Sequence, residues 1–429
     1  MTRGKQAEEK NVFKQIFIDG WEEFKRKYPR YEEEDEVVKK MLGCGEEGKG
    51  YSVYKCPGCG EEHRVAFSCK STFCLSCARA YGERWAEEIK GMLHPGVRYR
   101  QVILTVPEDL RKLFYQHGAE LLDGLMKAAQ GALNEAVSIA KRKQMKLGYI
   151  VVLQTAGRSG SYNPHLHVLM TDGGMTEEGE WETLGYIPYE LLHGRWQEHV
   201  LGMIEERLGE EEQARELVKE MRRQYPKGFV AHLQRDILPR LGQLTRYIVK
   251  YVVSPPMALS RIVRYDRERG EVTYWYRDHM SRDKREETVS RESFIGRMVQ
   301  HILPKGFQRI RYYGLQATCI LKKVRQDIQL AMQGAVQAVL EGFEAIKRTY
   351  RERMERSFGR DPQVCPRCGT EMWLWRIWHP KYGVVYDELE RIKTGTYDRQ
   401  EPTLEPDRVR NAGLGQDGYL QLSLFALPV

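Results

Sequence analysis

Two histidines that flank a leucine, His165-Leu166-His167, form one group of side chains in this sequence that can bind a metal ion. In a β-strand, residues two apart point to the same face, so both imidazoles can reach one ion while Leu166 faces the core. Gln154 ends the preceding apolar stretch, and a hairpin would bring its amide oxygen beside the two histidines. Such a ligand set leaves positions open for water and a substrate oxygen, as a catalytic ion requires. The alternative is a purely structural role, because an isolated His-x-His pair is a weak signal.

Two tyrosines, Tyr247 and Tyr251, lie four residues apart in a segment that the sequence predicts to be helical from about residue 230. Residues four apart share a helix face, which places the two phenols side by side. Arg246 and Lys250 have the same spacing beside them, and nearby cations favour the phenolate form of tyrosine. The alternative is an aromatic stripe packed on a sheet, although a stripe that faces the interior usually lacks such cations.

The cysteines form the third group. Six of the nine lie between Cys44 and Cys77, where Cys56-Pro-Gly-Cys59 and Cys74-Leu-Ser-Cys77 form two Cys-x-x-Cys motifs. Each motif can place two thiolates on one tetrahedral zinc ion, so Cys56, Cys59, Cys74 and Cys77 together predict one structural zinc site. The alternative is that these cysteines are ordinary small core residues.

Further candidate ligands lie outside these two motifs. Three further candidates lie in the same stretch of sequence, Cys44, His63 and Cys69. The sequence leaves three interpretations open for them: core residues, alternative zinc ligands or the remains of a second zinc site. Cys365-Pro-Arg-Cys368 lacks an obvious partner pair, so we interpret it as a candidate half-site with His379 nearby.

Length and composition limit the classes of protein to which the chain can belong. Its 429 residues suffice for two or three domains, and its 41% hydrophobic content is that of a globular protein. With 68 Lys and Arg residues and a formal charge of +8 it fits a polyanionic partner, although other soluble proteins share this balance. No stretch approaches the roughly 20 apolar residues of a membrane span, and the N-terminus lacks the apolar core of a signal peptide. We therefore expect a cytoplasmic protein with reduced thiols, which favours metal binding over disulfides.

Apolar periodicity predicts the elements that position these groups. Helices are predicted up to about residue 40 and at about 80–93, 108–143, 230–251, 290–301 and 321–356. Strands are predicted at 100–106, 149–155, 166–170, 261–265, 272–276 and 307–313, with 149–155 paired to 166–170 and 261–265 paired to 272–276. Residues 175–225 are charged and helical, and resemble an insertion more than a core element.

In this order, the motifs resemble those of the two-tyrosine rolling-circle transposases of the insertion-sequence ninety-one (IS91) type. These belong to the His-hydrophobic-His (HUH) endonuclease superfamily, with helitrons, conjugative relaxases and plasmid replication initiators as relatives. The resemblance extends roughly from Cys44 to Cys368. It rests on the cysteine stretch 56–77 with Ser68-Cys69, the strand Val102–Pro107, Pro164-His-Leu-His167, Tyr247 with Tyr251, and Leu303–Gly314.

The resemblance implies a role for each group. His165 and His167 would hold a divalent cation, Mg²⁺ or Mn²⁺, and the two tyrosines, Tyr247 and Tyr251, would be the nucleophiles. The family usually has His where this chain has Gln154, so Gln243 is a rival for the third ligand position.

The resemblance also implies the activity. The chain would be a transposase that cleaves and rejoins single-stranded DNA through a 5′-phosphotyrosine bond, with transposon ends and target DNA as partners and no ATP site. The predicted DNA-binding cations are Arg246, Lys250, Arg309 and Arg311. For the basic aromatic segment Phe307–Tyr313, which contains the last two, the alternative is that it is ordinary protein surface. We expect a prokaryotic protein that is nucleoid-associated when bound to DNA.

The expected fold is α+β, with a HUH-type nuclease domain built on a central, mostly antiparallel sheet flanked by helices. The predicted domains are an N-terminal zinc-binding module at 1–95, the nuclease domain at 96–315 and a C-terminal helical region at 316–429. Two rival interpretations stay open. One is a replication initiator or relaxase with the same chemistry, and the other is a non-enzymatic, zinc-dependent DNA-binding protein.

Overall fold

The computed structural model describes residues 12–234, 255–278, 281, 283–332, 351–352, 354–355 and 361–394. The chain divides into two compact units. The first consists of Met1–Leu42 and Cys69–Lys347, and the second of Gly43–Ser68 and Arg348–Val429. Each unit therefore combines segments that are distant in sequence, whereas the sequence predicted three consecutive domains.

The elements follow in chain order. The helices are α1 (Val12–Lys27), α2 (Asp35–Leu42), α3 (Leu75–Met92), α4 (Glu108–Gln116), α5 (Gly118–Lys141), α6 (Tyr189–Leu208), α7 (Glu212–Gln224), α8 (Arg291–Val299), α9 (Leu321–Ala331) and α10 (Glu388–Lys393). The strands are β1 (Tyr51–Lys55), β2 (Glu62–Ala66), β3 (Tyr99–Thr105), β4 (Gly148–Ala156), β5 (Tyr162–Thr171), β6 (Gly173–Met175), β7 (Trp181–Thr183), β8 (Ala231–Leu233), β9 (Ile262–Asp266), β10 (Glu271–Arg277), β11 (Lys284–Ser290), β12 (Ile310–Gly314), β13 (Trp373–His379) and β14 (Gly383–Asp387). Helices and antiparallel sheets coexist, which confirms the predicted α+β class.

A five-stranded antiparallel sheet forms the centre of the first unit, in the order β12-β4-β5-β3-β8. Because side chains alternate along a strand, each strand supplies two faces. On β5, Leu166 and Val168 point to the main core, while Leu169 points to a smaller core on the other face with Ile150 and with Ile89 of α3. The sheet is therefore covered on both faces, and its second face also carries the candidate site.

The helices between residues 175 and 225 belong to the main core. Trp196, Val200 and Ile204 of α6 are fully buried in the same cluster as the sheet residues, and the Trp196 indole donates a hydrogen bond to the Thr105 carbonyl at 2.8 Å. The prediction of a peripheral insertion is therefore wrong. A charged composition hid the apolar stripe of α6, because its solvent-facing side carries the charges.

A second, three-stranded antiparallel sheet in the first unit has the order β11-β10-β9. Its β9–β10 hairpin confirms the predicted pairing, with Val272 opposite Tyr265. Gly270 has a φ of +64° in the connecting turn, a conformation that glycine adopts without steric cost.

The second unit contains a four-stranded antiparallel sheet in the order β14-β13-β1-β2. Its strands come from the two ends of the chain, since β1 lies at 51–55 and pairs with β13 at 373–379. Tyr54, Cys56, Cys365 and Met372 form its small buried cluster. Among the residues that the structure describes, no helix of either unit combines the length and apolar character that a membrane span requires.

Candidate active site

The β4–β5 hairpin brings the three predicted metal ligands to one place. His165 is directly opposite Gln154, and His167 is opposite Val152. Two residues apart on β5, the histidines share a face, and their ring centroids are 5.1 Å apart. His165, His167 and Gln154 all line one cleft of the first unit. The structure therefore places the three side chains together.

Burial keeps the imidazoles in the form that binds metals. His167 is 5% exposed. Burial, reinforced by the His165 ring and Arg309, lowers the pKa of His167 to about 3. Burial also lowers the pKa of His165, with Arg309 and Arg111 acting in the same direction. Both rings are neutral at physiological pH, so their nitrogen lone pairs are available to a cation.

A backbone carbonyl orients His165. The Asn163 carbonyl oxygen lies 2.7 Å from His165 Nδ1, which makes Nδ1–H the donor in the neutral ring. The tautomer so selected carries its lone pair on Nε2. A carbonyl partner on the remote ring nitrogen is the usual companion of a metal-binding histidine.

The cleft around these residues is large and basic. Its volume is about 1820 Å³, well above the roughly 300–1,000 Å³ of most small-molecule sites. Its cationic lining residues are Lys40, Lys70, Arg158, Arg261, Arg277, Lys305 and Arg309, and Asp278 is the acidic one. Its aromatic lining residues are Phe73, Trp85, Trp275, Tyr276, Phe307 and Tyr312. Cations bind phosphate groups and aromatic side chains stack on planar bases, so this lining suits a polyanion with aromatic rings.

The two predicted DNA-binding arginines on either side of Ile310 differ in their surroundings. Arg309 lines the cleft, and its Nε donates to the Leu153 carbonyl at 2.8 Å, next to Gln154. Arg311 instead pairs with Asp123 of α5 at 2.6 Å, and its side chain is 16% exposed. The guanidinium of Arg311 is thus engaged in the fold, while that of Arg309 faces the candidate site.

The predicted nucleophiles lie outside the described residues. These are Tyr247 and Tyr251, together with Arg246, Lys250 and the rival ligand Gln243. The residues on either side are described: Leu233 ends β8 in the central sheet, and Pro255 and Pro256 line the cleft.

The prediction that Cys56, Cys59, Cys74 and Cys77 form one site is wrong. Within the second unit, Cys56 and Cys59 group with Cys365 and Cys368, and within the first unit Cys74 and Cys77 group with Cys69. Sequence proximity misled the assignment, because β1 pairs with β13 and brings the C-terminal motif to the first motif.

The other candidate ligands have different surroundings. His379 stacks on Tyr382 with ring centroids 5.0 Å apart, and its Nδ1 accepts a hydrogen bond from the Lys381 amide. His63 lies on β2 opposite Tyr54. Within the part of the chain that the structure describes, neither histidine belongs to a cysteine group.

Sequence reasoning missed a buried histidine of the cleft. His301 Nε2 lies 3.0 Å from the Gly160 carbonyl oxygen, and its Nδ1 lies 3.1 Å from the Thr155 hydroxyl, so it ties the β4–β5 turn to the segment after α8. It also missed cations on distant loops, such as Arg158 and Arg261. No sequence spacing joins these residues, because only the fold brings them together.

Comparisons with known proteins identify the chain. A family model described as "Putative transposase" matches residues 148–324, and one described as "Transposase zinc-binding domain", of the IS91 type, matches residues 16–106. The "Transposase for insertion sequence element IS801" of Pseudomonas savastanoi pv. phaseolicola is 28% identical over 79% of this chain and 82% of its own length. A "Putative transposase y4qJ" of Sinorhizobium fredii is 27% identical over 76% of this chain and 84% of its own length. No solved structure matches the chain.

The basic cleft, the cysteine groups and these matches define a DNA transposase, an enzyme class that cleaves DNA. The chain belongs to the IS91-type family of insertion-sequence transposases, and its N-terminal part contains the zinc-binding domain of that family.

Proposed function

We propose that this transposase cleaves and rejoins single-stranded DNA by rolling-circle chemistry, with a tyrosine as nucleophile and a divalent cation at the histidine pair. The observation that carries the proposal is the placement of His165, His167 and Gln154 on one face, inside a basic cleft. Both replication initiators and relaxases would use the same chemistry, but the matched relatives are transposases.

The ligand set fits a metal ion that must also bind substrate. Two neutral imidazoles and one amide oxygen leave coordination positions open. When bound there, a divalent cation such as Mg²⁺ or Mn²⁺ supplies Lewis-acid polarisation of a phosphate oxygen. Arg309 lies beside β12, and its positive charge contributes to lowering the pKa of both histidines. The same charge would stabilise the negative charge of the phosphate.

Tyr247 and Tyr251 supply the nucleophiles in this proposal. A phenolate oxygen attacks phosphorus, the bond to the 3′-oxygen breaks, and the leaving strand takes up a proton as a free 3′-hydroxyl. The 5′-phosphotyrosine bond conserves the energy of the phosphodiester for rejoining. Two tyrosines can hold two strands at once, and Arg246 and Lys250 beside them would favour phenolate.

The positions of the flanking residues support this assignment. Leu233 pairs with Val102 of β3, the strand that also pairs with β5 and its histidines. After the intervening segment, Pro255 and Pro256 line the cleft itself. The chain therefore leaves the described structure on the sheet that carries His165 and His167, and it re-enters at the cleft that these histidines line.

A single strand is the substrate that the cleft chemistry favours. Its cations can track a phosphate backbone, and unpaired bases can stack on rings such as Trp275 and Phe307. Duplex DNA would hide its base faces from these rings.

The zinc-binding domain is built, in this proposal, around Cys69, Cys74 and Cys77. Their sulfurs lie within 4.8 Å of one another, and Cys69 Sγ is 3.6 Å from Cys77 Sγ. These thiolates supply three of the four ligands that a structural zinc site uses.

A covalent adduct tests the nucleophiles. Purified protein incubated with labelled single-stranded DNA of a transposon end and Mg²⁺ or Mn²⁺ should give a species on a denaturing gel that protease treatment collapses. Tyr247→Phe combined with Tyr251→Phe should abolish it and leave DNA binding intact. Tyr186→Phe, at an exposed tyrosine, is the control and should form the adduct normally. An adduct that persists in the double variant would refute the nucleophile assignment.

The metal site is tested in the same assay. His165→Ala combined with His167→Ala should remove the adduct while retaining DNA binding, and omission of Mg²⁺ and Mn²⁺ should do the same to the wild type. His199→Ala is the matched control, because His199 pairs with Glu135 at 2.9 Å and is absent from the cleft lining. Undiminished adduct in the histidine double variant would exclude a catalytic role for the pair.

A further inference from the structure

The geometry points to a second zinc site in this transposase, a four-thiolate centre formed by Cys56, Cys59, Cys365 and Cys368 that joins two segments distant in sequence into one folding unit. The matched zinc-binding domain ends at residue 106, so it contains only the first pair. Cys59 and Cys365 are 306 residues apart in sequence.

The sulfur positions fit one tetrahedral ion. Cys56 Sγ is 3.4 Å from Cys368 Sγ, and Cys59 Sγ is 3.6 Å from the sulfurs of both Cys365 and Cys368. A tetrahedron with Zn–S bonds of about 2.3 Å has edges of about 3.8 Å. A disulfide would need sulfurs about 2.0 Å apart. The observed spacings therefore match shared coordination and exclude paired disulfides.

The two Cys-Pro-x-Cys-Gly motifs have the same backbone structure. In the first, the Gly60 amide donates to the Cys56 carbonyl at 3.0 Å and the Cys56 amide to the Glu61 carbonyl at 2.9 Å. In the second, the Gly369 amide donates to the Cys365 carbonyl and the Cys365 amide to the Thr370 carbonyl, both at 2.9 Å.

The glycines that close the two turns also correspond. Gly60 and Gly369 have φ values of +73° and +74°, which glycine tolerates best. Two equivalent turns that face each other are how a four-cysteine zinc site is assembled from two Cys-x-x-Cys pairs.

The second unit needs such a cross-link because its core is small. In the residues that the structure describes, its buried cluster consists of Tyr54, Cys56, Cys365 and Met372, and two of these are proposed ligands. Small folds of this kind are usually stabilised by metals or disulfides. Zinc bound here would fix the β1–β13 pairing, so loading of this site is coupled to folding of the sheet in the second unit.

Thiol reactivity tests the site in the unmodified protein. Cys59, Cys368 and Cys319 are all exposed, and Cys319 lies outside both cysteine groups of the described residues. Alkylation followed by peptide mass spectrometry should modify Cys319 at once, while Cys59 and Cys368 resist until a chelator removes zinc. Alkylation of Cys59 and Cys368 as fast as Cys319, before chelation, would overturn the proposal.

Zinc content provides the second test. Full-length protein should contain two zinc ions per chain, and Cys365→Ser with Cys368→Ser should lower this to one. Adding Cys56→Ser and Cys59→Ser should lower it no further, because all four residues serve one ion. Cys319→Ser should keep two, and so should Cys368→His, since imidazole can replace an exposed thiolate. Unchanged zinc after loss of Cys365 and Cys368, or a further drop in the quadruple variant, would refute the shared site. Neither test depends on DNA cleavage, so its failure would leave the proposed strand chemistry untouched.

Discussion

Replacing Asp123 with asparagine tests how much of the first unit depends on one carboxylate. Asp123 lies on α5 and accepts from Arg311 of β12 at 2.6 Å, from Arg207 of α6 at 3.1 Å and from Lys127 at 3.0 Å. Burial raises the pKa of Asp123, but the hydrogen bonds from these three cations outweigh it and lower the pKa to about 2. The hydrogen bonds of Asp123 therefore join helices α5 and α6 to strand β12 of the central sheet.

The structure gives the size of the effect. A pKa lowered from 3.8 to about 2 corresponds to about 2.5 kcal/mol of stability. The Asp123 side chain is 30% exposed, so solvent screening reduces this figure. We expect Asp123→Asn to lower the free energy of unfolding by about 1–2 kcal/mol at pH 7 and the melting temperature by about 2–5 °C. Because the folded-state pKa is lowered, this contribution is present above pH 3.8 and is lost as the pH falls through about 2.

Denaturant unfolding of the variants measures the effect directly. A double-mutant cycle of Asp123→Asn with Arg311→Met should give a coupling energy of about 1 kcal/mol. Lys127→Met is the matched control, because its ammonium contacts the same carboxylate but its side chain is 63% exposed, and should cost less than about 0.5 kcal/mol. A loss below about 0.5 kcal/mol for Asp123→Asn, or no coupling to Arg311, would refute the reasoning.

Two further predictions concern the cleft. Arg309→Gln should weaken binding of single-stranded DNA and reduce the slope of the logarithm of the binding constant against the logarithm of salt concentration by about 0.7. Arg311→Gln should leave that slope unchanged. Equal slopes for the two variants in a fluorescence titration would contradict the assignment. Burial lowers the pKa of His301 to about 4, so wild-type stability should fall as the pH drops from 6.5 towards 4, because the unfolded chain binds the proton more tightly. Denaturant titrations across that pH range should show that the free energy of unfolding falls by about 2–3 kcal/mol less in His301→Gln than in the wild type. Identical pH profiles of the unfolding free energy would exclude this role for His301.

Much of the first unit followed from local sequence patterns. Apolar periodicity predicted helices close to α3, α4 and α5, and alternation with a turn-rich link predicted the β4–β5 hairpin. The hairpin also predicted that Gln154 would lie beside the two histidines, whereas its pairing with His165 was read only from the structure. These features depend on residues that are near one another in the chain.

The sequence by itself determined which side chains could act as ligands, since Cys-x-x-Cys turns and a His-x-His strand are local structures. Only the tertiary structure decided which pairs share a site. Cys56 and Cys59 group with Cys365 and Cys368 because β1 pairs with β13 across some 300 residues of sequence, and no spacing rule encodes that pairing. The cations of the cleft likewise come from segments that are distant in sequence and meet only when the chain folds. Local patterns fix secondary structure and turns, but long-range contacts depend on the burial of the whole chain.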